Sequence, residues 1–398
     1  MKKELSRLKK KLSLKIDEYS ARLIEISEFI HNNPEICFKE FKSSQALIKE
    51  LQKNDFIVEK NAAGLKTAFT AVARGKEGGP AIAFLAEYDA LPEIGHACGH
   101  NIIGAASLGA GIAIKSIIKD LKGIVYVVGT PAEEGGGGKI KMLGKGVFKE
   151  IDISLMMHPF NKTYTFLPSL AVKPIEFIFH GKAAHAAISP EEGLNALDAV
   201  VQTYNSINAL RLQLPGDVRI HGIITDGGLA PNIISARAAV KYAVRTKNQN
   251  YLDELLDKVK DCARGAALAT GTTLEINQSW AGYDSIKNNL PIENAIKNNF
   301  KLLSIKETPP SMESGGMGSL DMGNISQIMP AVHPFLAITD EFGVHTDQFR
   351  EAAISTRGHE MMLKAAKMLA YTAVDLFMDK KLFERAKQDF KNNPGFDM

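Results

Sequence analysis

Long apolar runs, cysteine and net charge are all scarce in this 398-residue chain. No stretch approaches the roughly 20 uninterrupted apolar residues that a membrane span needs, so no membrane partner is expected. The three cysteines, Cys37, Cys98 and Cys262, are too few, and odd in number, for a disulfide framework. The Lys-rich opening "MKKELSRLKKKLSLKIDEYSARLIEISEFIHNN" has no apolar core segment and no small-residue cleavage site, and acids soon interleave with its lysines. It reads as an amphipathic surface helix, not a leader. Together these features predict a reducing, cytoplasmic setting. A formal net charge of +3 supplies no nucleic-acid footprint. No internal repeat is found, and no G-x-G-x-x-G follows the first strand, which sets aside a dinucleotide enzyme.

What the chain does have is an ordinary globular composition, 45% hydrophobic and 23% charged. Its length exceeds what one core usually serves, so two domains are expected. "AFTAVAR" (68–74), "PAIAFLAE" (80–87), "GIVYVVGT" (123–130) and "DISLMMH" (152–158) read as strands, and "IIGAASLGAGIAIKSIIKDL" (102–121) as a buried helix. Short Val/Ile runs between helices predict an α/β fold whose sheet is covered on both faces. Over residues 170–283 the pattern changes to βαββαβ, the order of a split-βαβ sandwich large enough for its own core. The expected division is a domain of 1–169 plus 284–398, and an inserted domain of 170–283.

Polar residues collect at strand ends. "AEYDALPEIGHACGHN" (86–101) holds Glu87, Asp89, His96, Cys98, His100 and Asn101, "TPAEEGGGG" holds Glu133 and Glu134, and His158 closes the fourth strand. In open α/β sheets ligands bind at that edge. On extended backbone Cys98 and His100 point to one side, and a thiolate with an imidazole suits zinc; alone, the pair reads more readily as a buried thiol beside a hydrogen-bonded histidine. Asn101 is expected to cap the next helix. Glu133 and Glu134 lie between a Val-rich strand and four glycines, a poor place for a solvated face. Extended backbone points them in opposite directions, so one is free to bind a metal while the other serves as a base. "GGGGKIKMLGKG" lacks the ending of a phosphate loop. Glu87 either assists or faces solvent, and His96 is structural or supports a ligand from behind.

These motifs, with "HNNPEICFKEFKSSQALIKEL", "MMHP", "GKAAHAA", "PNIISARAAVKYAVR", "GSLDMGNIS" and "HTDQF", resemble the M20 metallopeptidase/amidohydrolase family, in its Cys-containing subgroup. That subgroup includes N-acyl-amino-acid amidohydrolases, aminobenzoyl-glutamate hydrolase-like proteins and related dipeptidases. The resemblance covers nearly the whole chain. It implies a mixed-sheet, zinc-peptidase-like catalytic domain with an inserted α+β lid that also dimerises, and two divalent ions, zinc first, with manganese, cobalt or nickel as alternatives. The implied ligands are Cys98, His100, Glu134, His158 and His345, with Glu133 as general base and Asp89 orienting a histidine. It selects His345 over His333, which lines the pocket or packs, and sets Asp321 near the site, where a structural turn is the alternative. His185 is implied to reach a partner subunit's oxyanion, and Asn232 and Arg245 to contact substrate; a turn histidine and a surface ion pair are the ordinary alternatives for His185 and Arg245. Many members carry aspartate after "HACGH" where this chain has Asn101, as in the branch related to dipeptide hydrolases. The expected substrate is a small amide or dipeptide. The rival expectation is a catalytically silent relative that binds a metal or a small amide.

Overall fold

The computed structural model describes residues 2–278, 280–309 and 318–393. Two compact units emerge, one from the described residues of 1–168, 286–309 and 321–393, the other from those of 169–285 with 318–320.

The first unit opens with α1 (Lys2–Glu18) and α2 (Ser20–Asn32). One helix is expected here from sequence; the two meet at Tyr19 (φ −89°, ψ −2°), whose ψ departs from the α-helical value. Its hydroxyl accepts from Asn54 Nδ2 at 2.9 Å. Leu8, Leu12 and Ile16, one turn apart, form the buried stripe of α1. Then come α3 (Phe41–Lys53), β1 (Ile57–Lys60), β2 (Phe69–Arg74), β3 (Lys76–Ala86), α4 (His100–Ile117), β4 (Lys122–Gly129), α5 (Gly138–Gly144), β5 (Ile153–Leu155) and β6 (His158–Phe160).

The second unit contains β7 (Ala171–His180), α6 (Ala196–Leu210), β8 (Arg219–Asp226), β9 (Arg237–Thr246), α7 (Gln249–Thr270) and β10 (Thr273–Asn277). The strands form an antiparallel sheet in the order β10-β7-β9-β8. Phe177, Phe179, Val240 and Val244 of the sheet share one core with Val200 and Ile207 of α6 and Leu255 and Val259 of α7. Asn195 and Asn248 cap the two helices by accepting backbone N–H bonds, and Gly271 (φ 69°) ends α7 in the left-handed conformation.

The chain returns to the first unit with α8 (Leu290–Leu302), α9 (Met322–Ile328), β11 (Ala331–Val332), β12 (Phe335–Ala337), α10 (Asp347–Ala352), α11 (Thr356–Met378) and α12 (Lys380–Asn392). Its main sheet runs β1-β2-β4-β3-β5-β11, parallel from β4 to β11 and antiparallel at the β1–β2 and β2–β4 edge. The fold is therefore α/β with a mixed sheet. Every residue from Pro80 to Ala86 is buried, so both faces of β3 are covered. Helix α4 packs on β3, β4 and α11. The stretch His100–Asp120 is long and apolar enough to cross a membrane by length and composition, but 89% of its apolar 18-residue window is buried inside the protein. Its small residues explain the close packing: a Cβ on Gly111 would stand 2.3 Å from Val127 Cγ2.

Candidate metal centre

The site is built at the carboxyl ends of the parallel strands. β3 ends at Ala86, just before Glu87 and Asp89; β4 ends at Gly129, four residues before Glu133; and β5 stops at Leu155, leaving His158 to begin β6. His158 thus opens a short strand paired in parallel with β12, whereas sequence alone places it at the end of the preceding one.

Three local expectations are corrected. The Cys98–His100 segment is not extended: Gly99 is left-handed (φ 77°, ψ 24°) and His100 starts α4. A Cβ on Gly99 would lie 2.5 Å from Pro159 Cγ, so glycine lets this turn press against the residue after His158. Asn101 is no cap; it is buried, and its Nδ2 donates to Ser27 Oγ at 2.9 Å. Glu133 and Glu134 also lie in a turn rather than a strand, entered through Ala132 at φ 61°.

Despite the different backbone, the donor atoms converge. Cys98, His100 and His158 form one group, Cys98, Glu134 and His345 a second, and His100, Glu133 and Glu134 a third, with the donor atoms of each group within 4.8 Å of one another. Cys98 Sγ is 3.4 Å from His158 Nε2, and Glu134 Oε1 is 3.5 Å from His345 Nε2. His158 Nδ1 donates to the Pro159 carbonyl at 2.7 Å, so its Nε2 presents a lone pair to Cys98. His100 Nδ1 donates to Asp89 Oδ1 at 2.9 Å, which turns the Nε2 lone pair inward. Asp89 Oδ2 accepts from the Glu134 amide at 2.9 Å, tying the two loops together. His345, at φ 65° and half-exposed, is anchored by its own N–H, which donates to Ala97 O at 2.8 Å.

Electrostatics fit a cation. His100 Nε2 and Glu134 Oε1 are buried without a hydrogen-bond partner, although such atoms are normally satisfied. Burial pushes the Glu133 carboxyl well above the usual carboxylate range, and Glu87, Asp321 and Glu134 add to the effect. For Asp89 burial acts upward too and is the largest single influence, but His100, the Glu134 amide and Lys139 together outweigh it and the net shift is down. Burial lowers His158 to about 4, leaving its imidazole neutral and able to ligate. Thiolate, imidazole and carboxylate donors in one dry cluster suit zinc or a similar divalent ion.

Other sequence candidates separate. His333 is buried and packs, its ring 5.5 Å from that of His158 and 4.9 Å from that of Phe335. His96 is buried against the His31 ring at 6.2 Å and belongs to none of the donor groups. Glu87 does not face solvent; it is 1% exposed. The residue missed from sequence is Lys139, fully buried, whose ammonium pairs with Glu87 and, at 2.7 Å, with Asp321. A lysine after four glycines gives no hint of burial.

In the second unit, His185 is exposed, and its Nδ1 accepts from the Ala187 amide at 3.2 Å. Asn232 lies in the turn just before Ile233, which bridges to His185, and its carbonyl accepts from the Ala186 N–H at 3.0 Å. Arg245 is half-buried at the end of β9, with Nη1 donating to Ser319 Oγ at 3.1 Å.

Peptidase family M20/M25/M40 matches residues 83–373. The chain is 38% identical to a mouse (Mus musculus) Xaa-Arg dipeptidase over 98% of its own length and 93% of the relative's. It is 31% identical to a p-aminobenzoyl-glutamate hydrolase polypeptide of Escherichia coli K12, covering 92% of each chain. Among solved structures, a Bacillus subtilis dinuclear-metal-binding peptidase of the M20 family superposes with a TM-score of 0.67 at 21% identity, over 88% of this chain and 98% of that one. The chain belongs to the M20/M25/M40 peptidase family and is a hydrolase of that family.

Proposed function

We propose that this hydrolase is metal-dependent and cleaves the amide bond of a dipeptide or an N-acyl amino acid. The observation that supports it best is the convergence of Cys98, His100, Glu134, His158 and His345 donors beside Glu133. Two divalent cations held there, zinc first and manganese, cobalt or nickel as alternatives, would supply Lewis-acid charge and make water more acidic.

Glu133 takes a proton from the attacking water and returns it to the leaving amine nitrogen as the C–N bond breaks. Its raised proton affinity suits both steps. Asp89 holds His100 in the tautomer that presents Nε2. His185, supplied by the second subunit of a homodimer, donates to the oxyanion that forms on the carbonyl. Asn232 contacts the substrate, and Arg245, oriented by Ser319, takes its carboxylate. Dimerisation through the inserted unit is supported by the free edge of β8, where Ile223 is 65% exposed and Ile224 47%. A cytoplasmic setting belongs to the same reading, because Cys98 ligates only as a reduced thiolate.

The likeness to Xaa-Arg dipeptidase favours dipeptides ending in a basic residue. The test is a panel of such dipeptides, N-acyl amino acids and aminobenzoyl-glutamate, assayed with zinc and with manganese. Hydrolysis that is lost on chelation and restored by one metal is expected. Turnover indifferent to chelation would overturn the reading.

A further inference from the structure

The residues of "PEICFKEF" (34–41) take no part in the proposed chemistry, yet they touch two of the loops that do. Ile36 bridges in parallel to Ala90, the residue after Asp89, and the Ala90 N–H donates to Glu35 O at 2.8 Å. Cys37 and Phe38 then press against the turn 133–136 that carries Glu133. A Cβ on Gly136 would lie 2.5 Å from Ala132 Cβ, 2.6 Å from Cys37 Sγ and 2.8 Å from Phe38 Cε2, closer than real Cβ atoms come. Glycine at 136 is what lets the ring in. The turn itself is closed by the Gly136 N–H donating to Ala132 O at 3.1 Å and the Gly135 N–H to Glu133 O at 2.7 Å. Contact at Gly136 therefore reaches Glu133 through one short, closed stretch of backbone.

Phe38 holds this place at a conformational cost. Its φ is 60°, a value that a bulky side chain rarely adopts. Such a backbone persists only where the surroundings over-determine it. Here the Phe38 N–H donates to Glu40 Oε1 at 2.8 Å, and Glu40 is 0% exposed, its Oε2 accepting from Thr67 Oγ1 at 2.7 Å. The Thr67 carbonyl accepts in turn from the hydroxyl of Tyr88, the residue before Asp89. The Lys141 ammonium stands 4.0 Å from the centroid of the Phe38 ring, a cation–π contact. Lys141 belongs to α5, the helix that follows the turn. The ring thus meets the chain at two points downstream of Glu133, Gly136 and Lys141.

A general base works only within hydrogen-bond reach of the water it deprotonates, and a run of four glycines is the backbone least able to hold such a position unaided. We infer that Phe38 is a positioning residue for the base: its ring, locked in a left-handed backbone by the buried Glu40 carboxylate, braces the glycine-rich turn so that Glu133 keeps its reach over the metal centre. The inference rests on the reading of Glu133 as the base and adds what holds that base in place. Asp89 secures the Glu134 amide at the same turn from the other loop.

The test separates the ring from the fold. Phe38→Gly suits a φ of 60°, so it deletes the ring while easing the backbone, whereas Phe38→Ala deletes the ring and keeps the strain. Both are compared with Phe38→Tyr, which keeps an aromatic ring. The readouts are kcat and KM at saturating zinc on whichever dipeptide of the panel wild type hydrolyses fastest, with metal content and melting temperature alongside. For Phe38→Gly and Phe38→Ala kcat should fall about tenfold or more, towards the roughly 100-fold that a 1 Å misplacement costs, with KM and metal content as in wild type. Phe38→Tyr should restore most of kcat. Wild-type kcat in Phe38→Gly, a fall that only follows loss of metal or of folded protein, or a Phe38→Tyr no better than Phe38→Gly overturns the inference. Glu133→Ala, run in the same assay, tells the two readings apart: if it is inactive, the base role stands whatever Phe38 does, and if it turns over like wild type, both readings fall.

Discussion

The strand-end loops of the first unit treat their polar groups differently from the helices and sheet of the second unit. In the second unit the helix starts are capped by Asn195 and Asn248, Gly271 closes α7, and the apolar residues of sheet and helices meet in one core. In the first unit the strand-end loops hold buried donors without partners, and they turn through positive φ at Gly99, Ala132 and His345. Alanine and histidine seldom adopt that conformation, and it persists only where the surroundings over-determine it. The contrast separates residues chosen for stability from residues held at some cost for chemistry.

Mutations can break that contrast. Glu133→Ala should cause the largest change, a fall in kcat of roughly 10²–10⁴-fold with metal content and melting temperature unchanged. Loss of metal or of fold instead would move Glu133 out of the base role. Phe179→Ala, in the core of the second unit, should act on stability, lowering it by about 3–5 kcal/mol in denaturant unfolding. Asp89→Asn should leave the fold nearly as stable but weaken metal affinity by roughly 10–100-fold, because His100 loses the carboxylate that sets its tautomer; calorimetric titration of metal-stripped protein measures it. Smallest is Asn248→Ala, which removes an acceptor for the Asn250 and Tyr251 amides and should cost about 1 kcal/mol of stability with kcat untouched. Should Asn248→Ala impair catalysis, or Asp89→Asn leave metal affinity intact, the division between the units would lose its meaning.

Much of the architecture was legible from pattern. Val-rich runs separated by a long small-residue helix marked the parallel strands, and the βαββαβ order marked the second sheet, because burial on one or both faces imposes its own periodicity. Of the site, the positions of Glu133, Glu134, Cys98 and His100 were legible from their strand-end setting, but their backbone was not. An extended segment and the turn at Gly99 both bring the Cys98 and His100 side chains to one place, and spacing cannot tell them apart. Spacing alone left His345 and His333 indistinguishable; the resemblance selected His345, and the structure ties it to Ala97 and packs His333 against Phe335. Lys139 was invisible, since nothing local separates a buried lysine from a solvated one.

The amino-acid order alone determined which segments become strands and helices, and which polar residues are carried to the strand ends, because those outcomes follow from periodicity and local conformational preference. Only the tertiary structure decided which donors meet, which carboxylates share the Lys139 ammonium and which oxygens are left without a proton donor. Those outcomes depend on contacts between residues as far apart in the chain as Cys98 and His345, and no local rule encodes them.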